Sequence, residues 1–238
     1  MQQWFPIGAS SFAGDVDNLI IMITLVTGVW LLLAEGVLLY LIVRFRRKPG
    51  VPAGYVTGEK RNQIAWVLLP CFLIFLCDIV IDHASAQVWD RIKIEQPPQD
   101  MKIRVEGRQW SWTLTHPGPD NVLGTDDDLV LVNDIHVPVN ATIHFELGAA
   151  DVLHSFFLPE MRLKQDAVPG RWIPGWFRPT RPGTYSIICA ELCGVAHGVM
   201  RGTMTVDTPE AYTAWLASQT GSDAPAAAAT VTEGSTAP

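Results

Sequence analysis

Two stretches of the chain are almost wholly apolar, and the residues beyond them alternate. Leu19–Val43 runs for 25 residues with Glu35 as its one charge. About 20 apolar residues suffice to cross a hydrocarbon core, so the run predicts a membrane span. Ile64–Ile81 is a second run, with Asp78 as its one charge and Pro70 inside it. It predicts a second span, since proline is tolerated in such helices. The chain then breaks at Gln96-Pro97-Pro98-Gln99. From Met101 the pattern shortens to β-rich runs divided by Gly, Pro, Asn and Asp. Met101–Val105, Gln109–Thr115, Leu129–Val132, Thr142–Leu147, Leu153–Leu158, Ile173–Phe177, Tyr185–Cys189 and Gly202–Val206 are the expected strands. Close spacing of short strands predicts a sandwich or barrel. Thr208–Leu216 predicts a short helix capped by Thr208, and Ala217–Pro238 has the composition of a disordered tail.

Charge orients this arrangement. The net charge is −7, yet residues 1–82 carry six basic and six acidic side chains. The excess of acid therefore lies in the β-rich part, which repels nucleic acid and attracts basic partners. Between the spans stand Arg44, Arg46, Arg47, Lys48, Lys60 and Arg61 against Glu59 alone. The positive-inside rule puts loop 44–63 in the cytoplasm of a bacterial cell and both flanks outside the inner membrane. The expected organisation is an outer tail 1–18, a two-helix hairpin 19–82, a connector 83–100, a β domain 101–207, and a helix with tail 208–238. Pro119–Asp128 is an acidic insertion that reads as a solvated turn, although carboxylates around a glycine also suit Ca²⁺. No C-x-x-C-H motif for covalent haem occurs.

The chemistry concentrates in Cys189-Ala190-Glu191-Leu192-Cys193-Gly194-Val195-Ala196-His197-Gly198-Val199-Met200, with His154 upstream. Thiolate, thioether and imidazole together select copper or zinc over hard cations. Structural zinc rarely uses Met, and a mononuclear blue-copper site needs one Cys fewer. Two thiolates with two imidazoles are a set that can bridge two copper ions. A disulfide between Cys189 and Cys193 is the competing reading in an oxidising compartment. Gly194 and Gly198 are expected to permit sharp backbone turns. Trp110 and Trp112, two apart on an expected strand, should share a face. His83, His116, His136 and His144 read as ordinary surface or strand residues.

These residues resemble subunit II of the haem–copper cytochrome c oxidases. The loop fits that family's C-x-E-x-C-x3-H-x2-M. Asp151–Phe156, Lys164–Arg171, Arg181–Tyr185 and Gly107–Trp112 resemble four further family motifs. The resemblance implies a two-helix transmembrane hairpin followed by an all-β Greek-key barrel of cupredoxin type. It implies a binuclear copper centre, with His154 and Met200 on one ion and His197 and the Glu191 carbonyl on the other. Cys189 and Cys193 would bridge them. It further implies that the Glu191 carboxylate shares Mg²⁺ or Mn²⁺ with subunit I, and that Trp110 receives electrons from cytochrome c or a cytochrome c domain. The implied partners are haem-bearing subunit I, subunit III and the membrane. The implied activity is electron transfer toward oxygen reduction coupled to proton pumping. A copper domain of another reductase and a membrane-tethered copper carrier are the alternatives. Arg108 and Ser111 depart from the family pattern beside Trp110. Gln63 replaces a family glutamate that opens a proton path, and Glu59, four residues earlier, is the expected substitute if both share a helical face.

Overall fold

The structure is a computed structural model that describes residues 5–52 and 54–221. It divides into two units, residues 15–91 and the remainder of the chain. In the first unit, α1 (Ala13–Arg44) and α2 (Arg61–Trp89) carry the two apolar runs. Both are long and apolar enough to span a membrane, and neither buries its apolar window within the protein. α1 begins at Ala13 rather than Leu19, and α2 runs past Ile81 into a π-helical turn, Asp90–Ile94. The connector expected over 83–100 is thus helical for most of its length. Residues 82–94 contain no Gly or Pro to stop a helix, so loss of hydrophobicity marks the end of the apolar run but not of the helix.

Glu59 lies before the first residue of α2, so the shared helical face expected for Glu59 and Gln63 does not form. Gln63 instead accepts a hydrogen bond from Lys60 N at 3.3 Å through its side-chain oxygen. It satisfies one of the free donors at the helix start.

The second unit is a two-sheet sandwich of cupredoxin type. One sheet orders as β3-β2-β1-β5-β8 and the other as β4-β10-β9-β6-β7. In chain order these are β1 (Met101–Arg108), β2 (Ser111–His116), β3 (Leu129–Val132), β4 (Asp134–Pro138), β5 (Ile143–Ala149), β6 (His154–Leu158), β7 (Leu163–Ala167), β8 (Ile173–Phe177), β9 (Gly183–Cys189) and β10 (Arg201–Asp207). Inward positions alternate with outward ones, as in β1, where Met101, Ile103, Val105 and Gly107 are buried. The core between the sheets includes Trp112, Leu114, Phe145, Phe156, Phe177 and Ile187. Residues before α1 belong to this unit: Ser10 bridges Pro179, Ala9 N donates to Glu160 O, and Phe12 packs edge-on to Trp176. The stretch expected as a free outer tail is therefore partly buried from Ala9 to Ala13.

Two strands have no counterpart among those expected from sequence. β4 follows Asn133, whose left-handed backbone (φ 58°) lets the chain cross from one sheet to the other. Asn133 N donates to Trp112 O and Asn133 Oδ1 accepts from Trp112 N, both at 2.8 Å. β7, Leu-Lys-Gln-Asp-Ala, holds no β-branched or aromatic residue, but Leu163 and Ala167 alternate inward.

The sandwich closes with α3 (Pro209–Gln219), capped by Thr208 Oγ1, which accepts from Ala211 N. The helix extends to Gln219, beyond the expected Leu216, so 217–219 are not part of a tail; residues 222–238 lie outside the described range. α3 docks through Tyr212 and Trp215 on His116 and His136. His136 stacks on Trp215 at 4.5 Å, and His116 meets it edge-on at 5.1 Å. Both histidines lie on strands, one of the two expected placements, but neither is a free surface residue: His116 is fully buried, and His136 Nδ1 pairs with Asp207 at 2.6 Å. His116 Nδ1 accepts from Gly118 N, and Nε2 bonds Tyr212 OH at 2.7 Å. Protonating Nδ1 would set two N–H groups against each other. Burial, helped by nearby His136, pushes His116 down from 6.5 to about 4. The folded state thus disfavours the proton that the unfolded chain takes up. Stability is full above pH 6.5 and falls as pH drops toward 4, where about 3 kcal/mol should be gone. Denaturant midpoints at pH 7 and pH 4 test this, and equal midpoints would contradict a buried neutral His116.

Candidate metal centre

The loop between β9 and β10 carries the cysteines, and β-pairing fixes its ends. Cys189 N donates to Met200 O at 3.2 Å, closing the base. Ala190 N donates to Ser155 O, tying the loop to β6, whose first residue is His154. Ser155 Oγ in turn donates to Asp166 on β7 at 2.8 Å. Gly194 has φ of +123°, a conformation open to glycine. Gly198 lies in the 3₁₀ turn His197–Val199 without a positive φ, so the freedom expected of it is not used.

The donors converge. His154, Cys189 and Cys193 have ligand atoms within 4.8 Å of one another, and all three residues are buried. Cys189 Sγ lies 3.8 Å from Cys193 Sγ, 3.9 Å from His154 Nδ1 and 3.3 Å from Glu191 O. Cys193 Sγ lies 3.7 Å from His197 Nδ1 and 3.8 Å from Met200 Sδ. A disulfide requires about 2.05 Å between sulfurs, and both cysteines are free here. Each sulfur therefore has one imidazole nitrogen beside it. Met200 is buried, His197 is half-buried, and the Glu191 carboxylate has no hydrogen bond or ion pair among the described residues. This set fits a soft metal: two adjacent thiols with an imidazole beside each, a thioether by Cys193 and a carbonyl by Cys189.

The surroundings prepare the ligands. His154 Nε2 pairs with Asp151 Oδ1 at 2.9 Å, which holds the proton on Nε2 and leaves Nδ1 free toward the sulfurs. Burial opposes the Asp151 charge. Hydrogen bonds from Gln109 N, His154 and Val152 N outweigh it and hold the carboxyl down at about 2. Burial and the adjacent Cys189 push the Cys193 thiol up to about 11. Both thiols must lose protons to bind metal, so loading releases protons. Gly107 on β1 lets the His154 ring lie close. A Cβ there would sit 3.0 Å from His154 Cδ2 and 3.0 Å from Trp112. Gly107→Val should therefore cost about 1–3 kcal/mol by overpacking. It should also shift the optical spectrum of the metal-loaded site; a melt and a spectrum matching the parent would show that His154 has room to spare.

Trp110 and Trp112 do not share a face. Trp110 falls within the expected strand Gln109–Thr115 but lies in the two-residue turn between β1 and β2, and is 37% exposed, whereas Trp112 on β2 is 0% exposed. The turn brings Trp110 over the loop: a Cβ at Gly194 would lie 3.3 Å from the indole. Gln109, which sequence places in a motif but gives no role, joins the parts. Its backbone N donates to Asp151 Oδ2 at 2.8 Å, and its side chain donates to Cys193 O at 2.7 Å. Its position before Trp110 is the available signal. Around the loop Leu192, Val195 and Val199 are exposed.

A profile for "Cytochrome C oxidase subunit II, periplasmic domain" matches residues 101–206. The "Alternative cytochrome c oxidase subunit 2" of Bradyrhizobium diazoefficiens is 32% identical over 241 residues, covering 91% of this chain and 83% of the relative. The chain belongs to the cytochrome c oxidase subunit II family. The "Cytochrome c oxidase subunit 2" of Cereibacter sphaeroides is 33% identical over 210 residues, covering 75% of this chain and 67% of that one. The crystal structure of the periplasmic domain of subunit II from Bradyrhizobium japonicum shares 29% identity, with a TM-score of 0.45, over 51% of this chain and 94% of that chain. Membership of the subunit II family implies copper, and the His154–Cys189–Cys193 cluster is a chemically suitable place for it.

Proposed function

We propose that the chain is the electron-accepting subunit of a cytochrome c oxidase and holds a binuclear copper centre. One observation carries this reading: two reduced cysteines 3.8 Å apart, each with its own imidazole Nδ1 within 3.9 Å. Cys189 and Cys193 would bridge two copper ions. His154 and Met200 would complete one ion, and His197 with the Glu191 carbonyl the other. Copper bound there supplies a one-electron carrier whose charge is spread over two metals.

The chain's own residues prepare that role. Sheet hydrogen bonds hold the loop base, and Asp151 fixes the His154 tautomer. Burial of His154, Cys189, Cys193 and Met200 excludes water and limits rearrangement. Such closure favours a permanent electron carrier over a metallochaperone, which must open its site to exchange metal. Trp110 would receive the electron from cytochrome c, a role supported by its partial exposure and its closeness to Gly194 in the loop. The unpartnered Glu191 carboxylate is a suitable hard ligand for Mg²⁺ or Mn²⁺ shared with subunit I. Subunit I would hold the haems where oxygen is reduced to water with proton pumping, with subunit III alongside. α1 and α2 would cross the bacterial inner membrane twice, with loop 44–63 inside and the β domain outside.

Purification of the assembled complex tests the reading. Two copper ions per copy of this chain, together with cytochrome c oxidation, are expected. A complex with full turnover but one copper or none on this chain would overturn it.

A further inference from the structure

Two of the cavities among the described residues lie on the hairpin, away from the cysteine loop. The larger is a groove of about 1030 Å³ between α1 and α2. Gly28, Leu33, Ala34 and Val37 line it from α1, and Trp66 and Pro70 from α2. Thr24 and Thr27 also face it, but their hydroxyls donate to Ile20 O and Ile23 O at 2.7 Å, so they offer a ligand little polarity. Its lining on α1 runs from Thr24 to Leu41, about 25 Å at 1.5 Å per residue. That exceeds half of a hydrocarbon core about 30 Å thick, so it can take an acyl chain along its length. A Cβ added at Gly28 would meet nothing within 4 Å, so this wall is open.

The smaller cavity, about 390 Å³, is lined by Tyr40, Val43, Arg44, Arg46 and Lys48. Leu33, Val37, Tyr40 and Arg44 follow helical spacing, so one face of α1 leads from the apolar groove into the basic pocket. No acidic side chain lines either cavity. Among the described residues, no carboxylate forms a salt bridge with Arg44, Arg46 or Lys48. Arg44 rests its guanidinium over the Phe45 ring, 5.3 Å from the centroid. Cations without a carboxylate partner at the mouth of an apolar groove match an amphiphile with a negative head.

We propose that the groove and the basic pocket together bind one anionic phospholipid of the cytoplasmic leaflet. The phosphate sits among Arg44, Arg46, Lys48 and the Tyr40 hydroxyl, and an acyl chain lies between α1 and α2. The site rests on the membrane placement of the hairpin and is independent of the copper reading. Charge favours lipid over a partner helix, because a helix would have to bring a carboxylate to each cation while a phosphate is native to that depth. Each cation near an anionic surface contributes a factor of about five, so three favour anionic over zwitterionic lipid by roughly a hundredfold.

The test uses the full chain, purified with its complex into nanodiscs of phosphatidylglycerol and phosphatidylcholine, with retained lipid counted by native mass spectrometry. Phosphatidylglycerol should be retained selectively, and R44Q/R46Q/K48Q should abolish the selectivity. Arg47, Lys60 and Arg61 remain in that variant to keep the loop inside. G28L/A34L, which fills the groove and keeps every charge, should lose the lipid as well. Equal retention of both lipids by the parent would overturn the proposal. So would no retained lipid, as when a partner helix fills the groove, or persistence of selective retention in either variant.

Discussion

Replacing Cys193 by serine is expected to reduce copper from two ions per chain to one or none and to bring cytochrome c oxidation to background. The side chain is buried at 3% exposure, and its sulfur lies 3.7–3.8 Å from three other donors: Cys189 Sγ, His197 Nδ1 and Met200 Sδ. It is the donor with the most neighbours in the cluster, beside Cys189, His197 and Met200 alike. Serine matches the shape but supplies a hard, protonated hydroxyl where a soft thiolate is needed. The β sandwich should stay folded, because the loop base is held by Cys189 N and Ser155 O rather than by this side chain. Metal analysis and circular dichroism on the same preparation separate the two effects. Full copper in the serine variant would remove Cys193 from the ligand set.

Replacing Trp110 by alanine is expected to slow electron transfer from cytochrome c by about one to two orders of magnitude, the range that loss of a positioned contact costs. Copper content and optical spectrum should not change, because the indole approaches the loop at Gly194, which is not one of the proposed ligands. A small-molecule reductant that reaches the loop directly should reduce the variant at the parent rate. Gln109→Leu should give a milder version of the same defect, because it removes the hydrogen bond to Cys193 O that ties the turn to the loop. Stopped-flow reduction by cytochrome c measures both. If Trp110→Ala accepts electrons at the parent rate, the electron path begins elsewhere on the apolar rim of Leu192, Val195 and Val199.

The parts of the fold legible in the sequence are those with one dominant physical signal. The two long helices follow from apolar length, and β3 falls on its expected residues because Asp128 and Asn133 bound it on both sides. The helix cap at Thr208 follows from Thr-Pro at the start of a helical run. The elements that escape a sequence reading depend on partners distant in the chain. β4 exists because Asn133 exchanges hydrogen bonds with Trp112, and β7 because its backbone pairs with β6 despite a polar sequence. Alternation puts Trp110 and Trp112 on one face, but a tight turn between β1 and β2 intervenes and separates them. His116 shares the inward face of β2 with Trp112 and Leu114, but its partners on α3 lie 96 and more residues away in the chain and are not legible from the strand.

At the site, the loop spacing marks the cysteines, His197 and Met200, and the structure brings them and His154 together. The roles of Asp151 and Gln109 are not legible, because they arise where the β1–β2 turn meets the segment before β6, 42 residues later in the chain. The thiol pair also reads as a disulfide in sequence, and only the 3.8 Å separation favours the reduced form.

The most direct test is electron paramagnetic resonance of the copper-loaded outer domain, because it counts the nuclei that share one unpaired electron. Hyperfine splitting from two equivalent copper nuclei is expected in the oxidised, mixed-valence protein. Splitting from a single nucleus, or no signal at all, would contradict a pair of metals bridged by Cys189 and Cys193.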